Sequence, residues 1–257
     1  MNFESSAPPK GSSNPFLLTF QRATYILVGM LAAHEGKRRL RDPGRTRERL
    51  LQAAFREMYR SGFQSAGIET ILAATNVTKG ALYHHFGSKE ALGHAVIEEI
   101  IAKSNRDKWL RPLCGKAPPL DILIGIVQRT SVRRLDVEGG CPLLNLAQEM
   151  SPLDEQFRKR LARIFHAWQE GIAMALRRGQ AQGTVRRDLN PEEAAGFLIA
   201  TYEGYVSLAK NAQDARVLEV GIKNIVGWLR SLRAPRRSRR GGGRMSKTHV
   251  VRQRQRV

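Results

Sequence analysis

The sequence predicts an all-α fold, and three observations carry that expectation. Apolar residues recur at i, i+3, i+4 and i+7 through most of the chain. Helix start and stop residues stand at the ends of those runs. No stretch alternates apolar and polar residues as a half-buried strand does, and no internal repeat is visible.

Taken in order, residues 1–15 are rich in Ser, Pro and Gly and read as a disordered lead-in. The apolar stretch FLLTFQRATYILVGMLAA (16–33) is interrupted by Gln21 and Arg22, which leaves no run long enough to span a bilayer. No basic region precedes it, as a secretory signal requires. It reads as an extension or an apolar flap, and Met30 offers a second translation start that would delete most of it. GKRRLRDPGRTRER (36–49) is a basic arm leading into a helix whose stripe is Leu51, Ala54, Phe55 and Met58. Gly62 is the natural stop of that helix.

A short helix follows over Ile68 to Thr75, and Asn76 is suited to a left-handed turn. Thr78 caps a third helix from Lys79 to His85, and Ser88 caps a fourth from Lys89 to about Lys108. Further helices are expected at 119–135, 142–150, 154–180, 191–211 and 214–232. They are separated by Pro118-Pro119, Gly139-Gly140, Ser151-Pro152 and Gly183. Asn190-Pro191-Glu192-Glu193 combines a cap, a first-position Pro and acids in the first turn. The last helix carries Leu218, Gly221, Ile222, Ile225, Leu229 and Leu232 on one face.

The pair of short helices around Asn76 forms a helix-turn-helix. Ile71, Val77, Leu82 and Phe86 supply its small core, which turns Lys79, Gly80, Tyr83 and His84 outward. Lys at a helix N-terminus opposes the macrodipole. It becomes favourable when a phosphate sits against the free N–H groups there, and Lys89 repeats the arrangement at the next helix. Gly80 lets the backbone approach a surface closely. Tyr83 and His84 offer hydrogen bonds to phosphates or base edges.

Charge points the same way. Net charge is +20, and eleven Lys and Arg lie in residues 230–257, which carry no Asp or Glu. A polyanion is the expected partner: nucleic acid first, an anionic membrane surface second. The tail reads as disordered, adding either sequence-independent phosphate attraction or nothing specific. A polyanion- or RNA-binding protein acting through that tail is therefore the alternative functional class.

GFQSAGIETILAATNVTKGALYHHFGSKEAL, with its leading helix, resembles the DNA-binding domain of TetR-type transcriptional regulators over about 45–101. The resemblance implies a homodimer with no membrane association. A three-helix DNA-binding domain reads a palindromic double-stranded operator, and a larger C-terminal helical domain binds a small-molecule effector and dimerises. It implies a cytoplasmic, nucleoid-associated regulator, a repressor released from its operator by a small molecule or an electrophile, with no cofactor and no enzymatic activity. Domain bounds follow as 1–42 for the extension and arm and 43–105 for the DNA-binding domain, whose helix-turn-helix spans about 67–86. The effector and dimerisation domain takes 106–232 and the basic tail 233–257. Arg45, Thr78, Lys79, Gly80, Ala81, Tyr83, His84 and Lys89 fall on or beside the family's DNA-contacting positions. The family usually has Thr at Ala66, Ser or Thr at Gly67, a small residue at Leu72 and Gly at Asn76. These departures bear on operator specificity, because lost hydroxyls remove a cap and a phosphate contact.

GGCPLLNLAQEMSP (139–152) places Pro142 at a first helical position and Cys141 at the cap. A thiol there feels the positive end of the macrodipole, which lowers its pKa, and Gly139-Gly140 would leave it accessible. The bland reading is a small buried residue at a helix start. The stretch resembles a branch of TetR-type repressors with a Gly-Cys…Asn-Leu…Glu motif, some of which sense electrophiles or oxidants; Asn145 is its Asn. Phe165, Trp168 and Tyr202 are candidate lining for an effector pocket or plain core.

Two cysteines, Cys114 and Cys141, cannot staple a chain of 257 residues. The six His are scattered, and no Cys/His cluster has zinc spacing, so no metal is expected. No phosphate-cradling Gly loop and no catalytic Ser, His and Asp arrangement is present.

Overall fold

A computed structural model describes residues 43–235. The expectations for residues 1–42 and for the tail beyond 235 lie outside the described residues. Ten helices are described: α1 Pro43–Ser65, α2 Ile68–Thr75, α3 Lys79–Phe86, α4 over 89–113, α5 Pro119–Gln128, α6 Arg134–Gly139, α7 Pro142–Met150, α8 Glu155–Ala181, α9 Pro191–Ala212 and α10 Ala215–Ser231. Among the described residues no strand forms. One isolated antiparallel bridge joins Val185 to Arg233.

Local chemistry sets most of these boundaries. Gly62 leaves the helical region at φ 81°, ψ 165°, so α1 breaks there and resumes for one turn. Asn76 sits at φ 51°, ψ 44°, the left-handed turn between α2 and α3. The Thr78 hydroxyl accepts from Ala81 N and the Ser88 hydroxyl from Ala91 N. The Asn190 side chain accepts from Glu192 N at 3.0 Å and Glu193 N at 3.3 Å. Each cap satisfies donors that a helix start leaves open.

Two expectations are corrected. The helix expected over 119–135 is two helices, with α5 ending at Gln128 and α6 beginning at Arg134. Side-chain hydrogen bonds compete with helix continuation there. Ser131 Oγ donates to Asp136 Oδ2 at 2.5 Å, and the Thr130 hydroxyl meets the Tyr202 hydroxyl at 3.3 Å. The fourth helix runs past Lys108 to Leu113, and two of its turns are wide. Over Val96–Ile101 and Arg106–Leu110 it adopts π geometry, with Ala102 N donating to Ile97 O and Arg111 N to Arg106 O.

The core is continuous from the DNA-binding helices into the C-terminal bundle. Leu51, Ala54 and Met58 of the predicted α1 stripe are buried, and Leu50 joins them. Phe63 and Phe157 pack at 4.5 Å between ring centroids, which seats the end of α1 on α8. Gly93 makes this approach feasible: a Cβ there would lie 2.6 Å from Phe63 and 2.8 Å from Phe157. Further along α4, Trp109 lies 4.9 Å from Trp168 of α8 and 5.0 Å from Tyr202 of α9. On α10, Leu218, Gly221, Ile225 and Leu229 are buried as their spacing predicts.

Candidate DNA interface and effector region

α3 is anchored from below and open above. Leu82 and Phe86 are buried, whereas Thr78, Lys79, Gly80, Tyr83 and His84 are exposed and Ala81 is half-buried. Nothing lies within 4 Å of a Cβ built on Gly80, so an approaching surface meets bare backbone there. Arg45, exposed near the start of α1, belongs to the same helical unit. Gly67 caps α2 without a side-chain bond, as expected from its missing hydroxyl. Arg47 ties α1 to both neighbours: it donates to both Glu99 oxygens of α4, at 2.7 and 2.5 Å, and its guanidinium lies 5.0 Å over the Phe86 ring of α3.

The two lysines differ. Lys79 meets only an exposed carboxylate, Glu69, at 3.4 Å. A phosphate can replace that partner at little cost, because such surface pairs contribute little. Lys89 donates to Gln64 O at 2.9 Å and lies 5.1 Å over the Phe63 ring. It therefore braces the fold as well as facing outward.

Cys141 caps α7 by backbone alone, with no side-chain cap bond. The expected lowering of its pKa is overturned: burial pushes the thiol up to about 12, and the nearby Glu203 carboxylate adds to the rise. The N–H groups of Leu143 and Leu144 pull in the anticipated direction and lose. Gly139 and Gly140 have another purpose than access. A Cβ on Gly139 would fall 2.1 Å from the Tyr59 hydroxyl, and one on Gly140, at φ 71°, would fall 2.8 Å from the Lys210 side chain. The two glycines admit α1 and α9 to this corner.

Those approaches are hydrogen-bonded. Tyr59 donates to Gly140 O at 2.8 Å. Asn145 donates to Gly139 O at 2.8 Å and accepts from Lys210 Nζ at 2.9 Å. At the other end of α7 the Glu149 carboxylate accepts from Phe63 N and Gln64 N, both at 2.8 Å. One nine-residue helix thus carries the cysteine at its start and holds the backbone of the DNA-binding unit near its end.

The candidate pocket aromatics pack against one another. Trp168 is 1% and Tyr202 5% exposed, and half-buried Phe165 stacks on Trp168 at 6.4 Å. Lys108 donates to the Tyr202 hydroxyl at 2.6 Å. An open cleft of about 400 Å³ lies between α4 and α8, floored by Ile97, Leu110 and Ile164 and rimmed by Arg160 and Arg163. Neither Cys141 nor Trp168 nor Tyr202 lines it.

Sequence reasoning missed Tyr59, Lys108, Trp109 and Glu203, and it met Glu149 only as the Glu of the Gly-Cys…Asn-Leu…Glu motif, without its role. Glu203 had a readable signal, as a lone acid in the apolar run FLIATYEGYVSLA. It is 5% exposed, and neither of its oxygens has a hydrogen-bond partner. Among the described residues no group of His, Cys, Asp or Glu could hold a metal ion, and no helix is long and apolar enough to cross a membrane.

Known proteins share this architecture. Residues 50–96 match the family model for bacterial regulatory proteins of the tetR family, and residues 125–225 match that for the tetracyclin repressor-like C-terminal domain. The HTH-type transcriptional repressor DhaR of Mycobacterium sp. (strain GP1) is 31% identical over 173 residues, which cover 67% of this chain and 86% of that protein. The crystal structure of a TetR transcriptional regulator from Chloroflexus aurantiacus J-10-FL aligns with a TM-score of 0.68 and 31% identity, over 76% of this chain and 100% of that one. Reduced Escherichia coli NemR aligns with a TM-score of 0.63 and 26% identity, over 74% of this chain and 97% of that one. With its helix-turn-helix on α2 and α3 and its helical C-terminal domain, the chain belongs to the TetR family of DNA-binding transcriptional regulators.

Proposed function

We propose that the protein is a homodimeric repressor that binds a palindromic operator and leaves it when a small electrophilic effector reacts at Cys141. The observation that carries this reading is α7. Its start bears Cys141, and its far end holds Phe63 N and Gln64 N through Glu149. A rigid helix of nine residues is about 13 Å long. Bulk added at one end therefore displaces the other end, where the DNA-binding unit is attached. Recognition helices of a dimer must sit roughly 34–36 Å apart to enter successive major grooves, so a small displacement costs several contacts at once.

Arg45, Thr78, Lys79, Tyr83, His84 and Lys89 make the operator contacts, with Gly80 and Ala81 against the bases. Asn145 stands at the Cys141 corner, and Phe165, Trp168 and Tyr202 are the aromatics on the effector side. Residues 43–105 act as the DNA-binding domain and 106–232 as the effector and dimerisation domain. The dimer forms through α9 and α10, where Phe197, Leu208 and Val220 stand 52%, 58% and 53% exposed. As in the family generally, no enzymatic activity is involved, and the protein works on DNA in the cytoplasm.

The experiment starts with selection of bound sequences from random DNA by the full chain. A palindromic consensus is expected, and sedimentation should give a dimer at micromolar concentration. Operator release by an electrophile such as acrylamide should vanish in Cys141→Ser and persist in Cys114→Ser. Release that is the same in wild type and Cys141→Ser removes the sensor role and leaves the DNA-binding reading standing.

A further inference from the structure

A carboxylate buried without a donor is costly, by about 1–3 kcal/mol or more for a charged group, so its presence needs a reason. Glu203 is such a group: 5% exposed, with both oxygens unpartnered. Cys141 stands beside it, close enough for each group to shift the other's titration, and burial holds the Glu203 carboxyl above the usual carboxylate range. Lys108 lies within electrostatic reach but is engaged with the Tyr202 hydroxyl. No catalytic or structural ion pair uses Glu203. The juxtaposition is a nucleophile precursor and a free acceptor, buried together at the start of the helix that holds the DNA-binding unit.

We propose that Glu203 is the proton acceptor for Cys141 when the thiol captures a small, uncharged α,β-unsaturated carbonyl compound. This rests on the covalent reading of Cys141 given above. The S–H proton passes to a Glu203 oxygen while sulfur bonds to the β-carbon. The π pair of the C=C bond moves to the α-carbon and carbonyl as an enolate. Glu203 then returns the proton to the α-carbon. S–C and C–H bonds form, the S–H and C=C π bonds break, and no oxidant, leaving group or other reactant is needed.

The surroundings select this class of effector. A cation pairs with the carboxylate and abolishes the base, and an anion set between Cys141 and Glu203 meets that carboxylate directly, since Lys108 and Lys210 are engaged with Tyr202 and Asn145. A displacement electrophile would leave an anion to be expelled from a corner closed by Tyr59, Lys210 and Asn145. Addition to a conjugated carbonyl keeps every atom in the adduct. The high thiol pKa acquires a purpose here. A thiol that does not ionise by itself ignores generic alkylating agents and reacts only where its proton can be taken in place.

The test follows alkylation of the full chain by acrylamide, with mass-spectrometric readout, in a Cys114→Ser background. The groups facing the pair are Lys108 of α4, Tyr59 of α1 with Asp136 of α6 beside it, and Lys210 of α9. None is altered. With Glu203 as acceptor, the rate climbs only while Glu203 itself loses its proton and then levels off, because free thiolate is not required. Glu203→Gln reacts roughly a hundredfold more slowly at pH 7, and its rate rises about tenfold per pH unit as thiolate becomes the only route. Glu203→Asp keeps the charge, shortens the reach and is slow as well. A purely electrostatic role predicts the opposite sign: removing the negative charge favours thiolate, so Glu203→Gln would react as fast as wild type or faster. That result overturns the proposal while sparing the sensor reading. An unreactive Cys141 in wild type at every pH overturns both.

Discussion

Replacing Glu149 by Gln removes one of the two carboxylate oxygens that hold the last turn of α1. Both donors, Phe63 N and Gln64 N, stand at 2.8 Å. Gln retains one acceptor and turns an amide N–H₂ toward the other backbone N–H, so one bond is lost and a donor faces a donor. A hydrogen bond to a charged group contributes about 1.5–3 kcal/mol. The Gln64 end is exposed and water can replace the lost partner there, which places the cost near the lower bound, about 2 kcal/mol. For a protein of this size that lowers Tm by roughly 4–8 °C. If α7 transmits effector binding, the ratio of operator affinities with and without acrylamide should shrink by up to about thirtyfold, the same energy read as coupling. The assay is fluorescence anisotropy with labelled operator, beside a thermal melt. Gly62→Ala attacks the same contact from the other side: its Cβ would sit 2.9 Å from both Glu149 oxygens at φ 81°. A Tm drop of the expected size with unchanged coupling refutes transmission through α7. An unchanged Tm refutes the hydrogen-bond argument itself.

Further outcomes follow from the same structure. Lys79→Ala should leave the melt level and flatten the salt dependence of operator binding by about one phosphate contact. Lys89→Ala should flatten it equally but also cost roughly 1 kcal/mol, since Lys89 braces Gln64 O and the Phe63 ring; equal melts for the two variants contradict this. Stability should decline as pH climbs from 9 toward 12. The folded Cys141 thiol holds, up to about 12, a proton that the unfolded chain releases near 9.0, and folding disfavours the charged form. Tyr59, also raised to about 12, adds to the decline above 10.0. Cys141→Ser should flatten the 9–10 part of the curve in urea titrations. Gly93→Ala should overpack the Phe63–Phe157 contact and cost about 1–3 kcal/mol, checked by chemical denaturation.

What could be read in advance followed the range of the interactions. The turn at Asn76 and the caps at Thr78, Ser88 and Asn190 depend on residues within three positions, so the sequence spells them out. The outward set on α3 was legible because Leu82 and Phe86 fix which side is buried. The environment of Cys141 was not. A helix dipole can be read from Pro142 alone, but the burial that overrules it comes from the packing of the folded chain, and the carboxylate that adds to it is Glu203 on α9. Gly139-Gly140 looked like slack and is a tight fit, because the group that needs the space is Tyr59, 81 residues from its partner Gly140. The break after Gln128 was hidden for the same reason, since the Thr130 hydroxyl turns to Tyr202, 72 residues away.

The wide turns of α4 have a consequence for how sequences of this kind are compared. A π turn accommodates one residue more than α geometry does over the same rise. Each of the two, at Val96–Ile101 and Arg106–Leu110, therefore acts as a one-residue insertion within a helix. A relative lacking one of them will differ from this chain by a single-residue gap in the middle of α4, where gaps are ordinarily penalised and misplaced. An alignment that shifts the gap to the loop after Leu113 puts Lys108 and Trp109 one position out of register. That offset is about 100° around a helix, enough to assign their contacts with Tyr202 to the wrong residues.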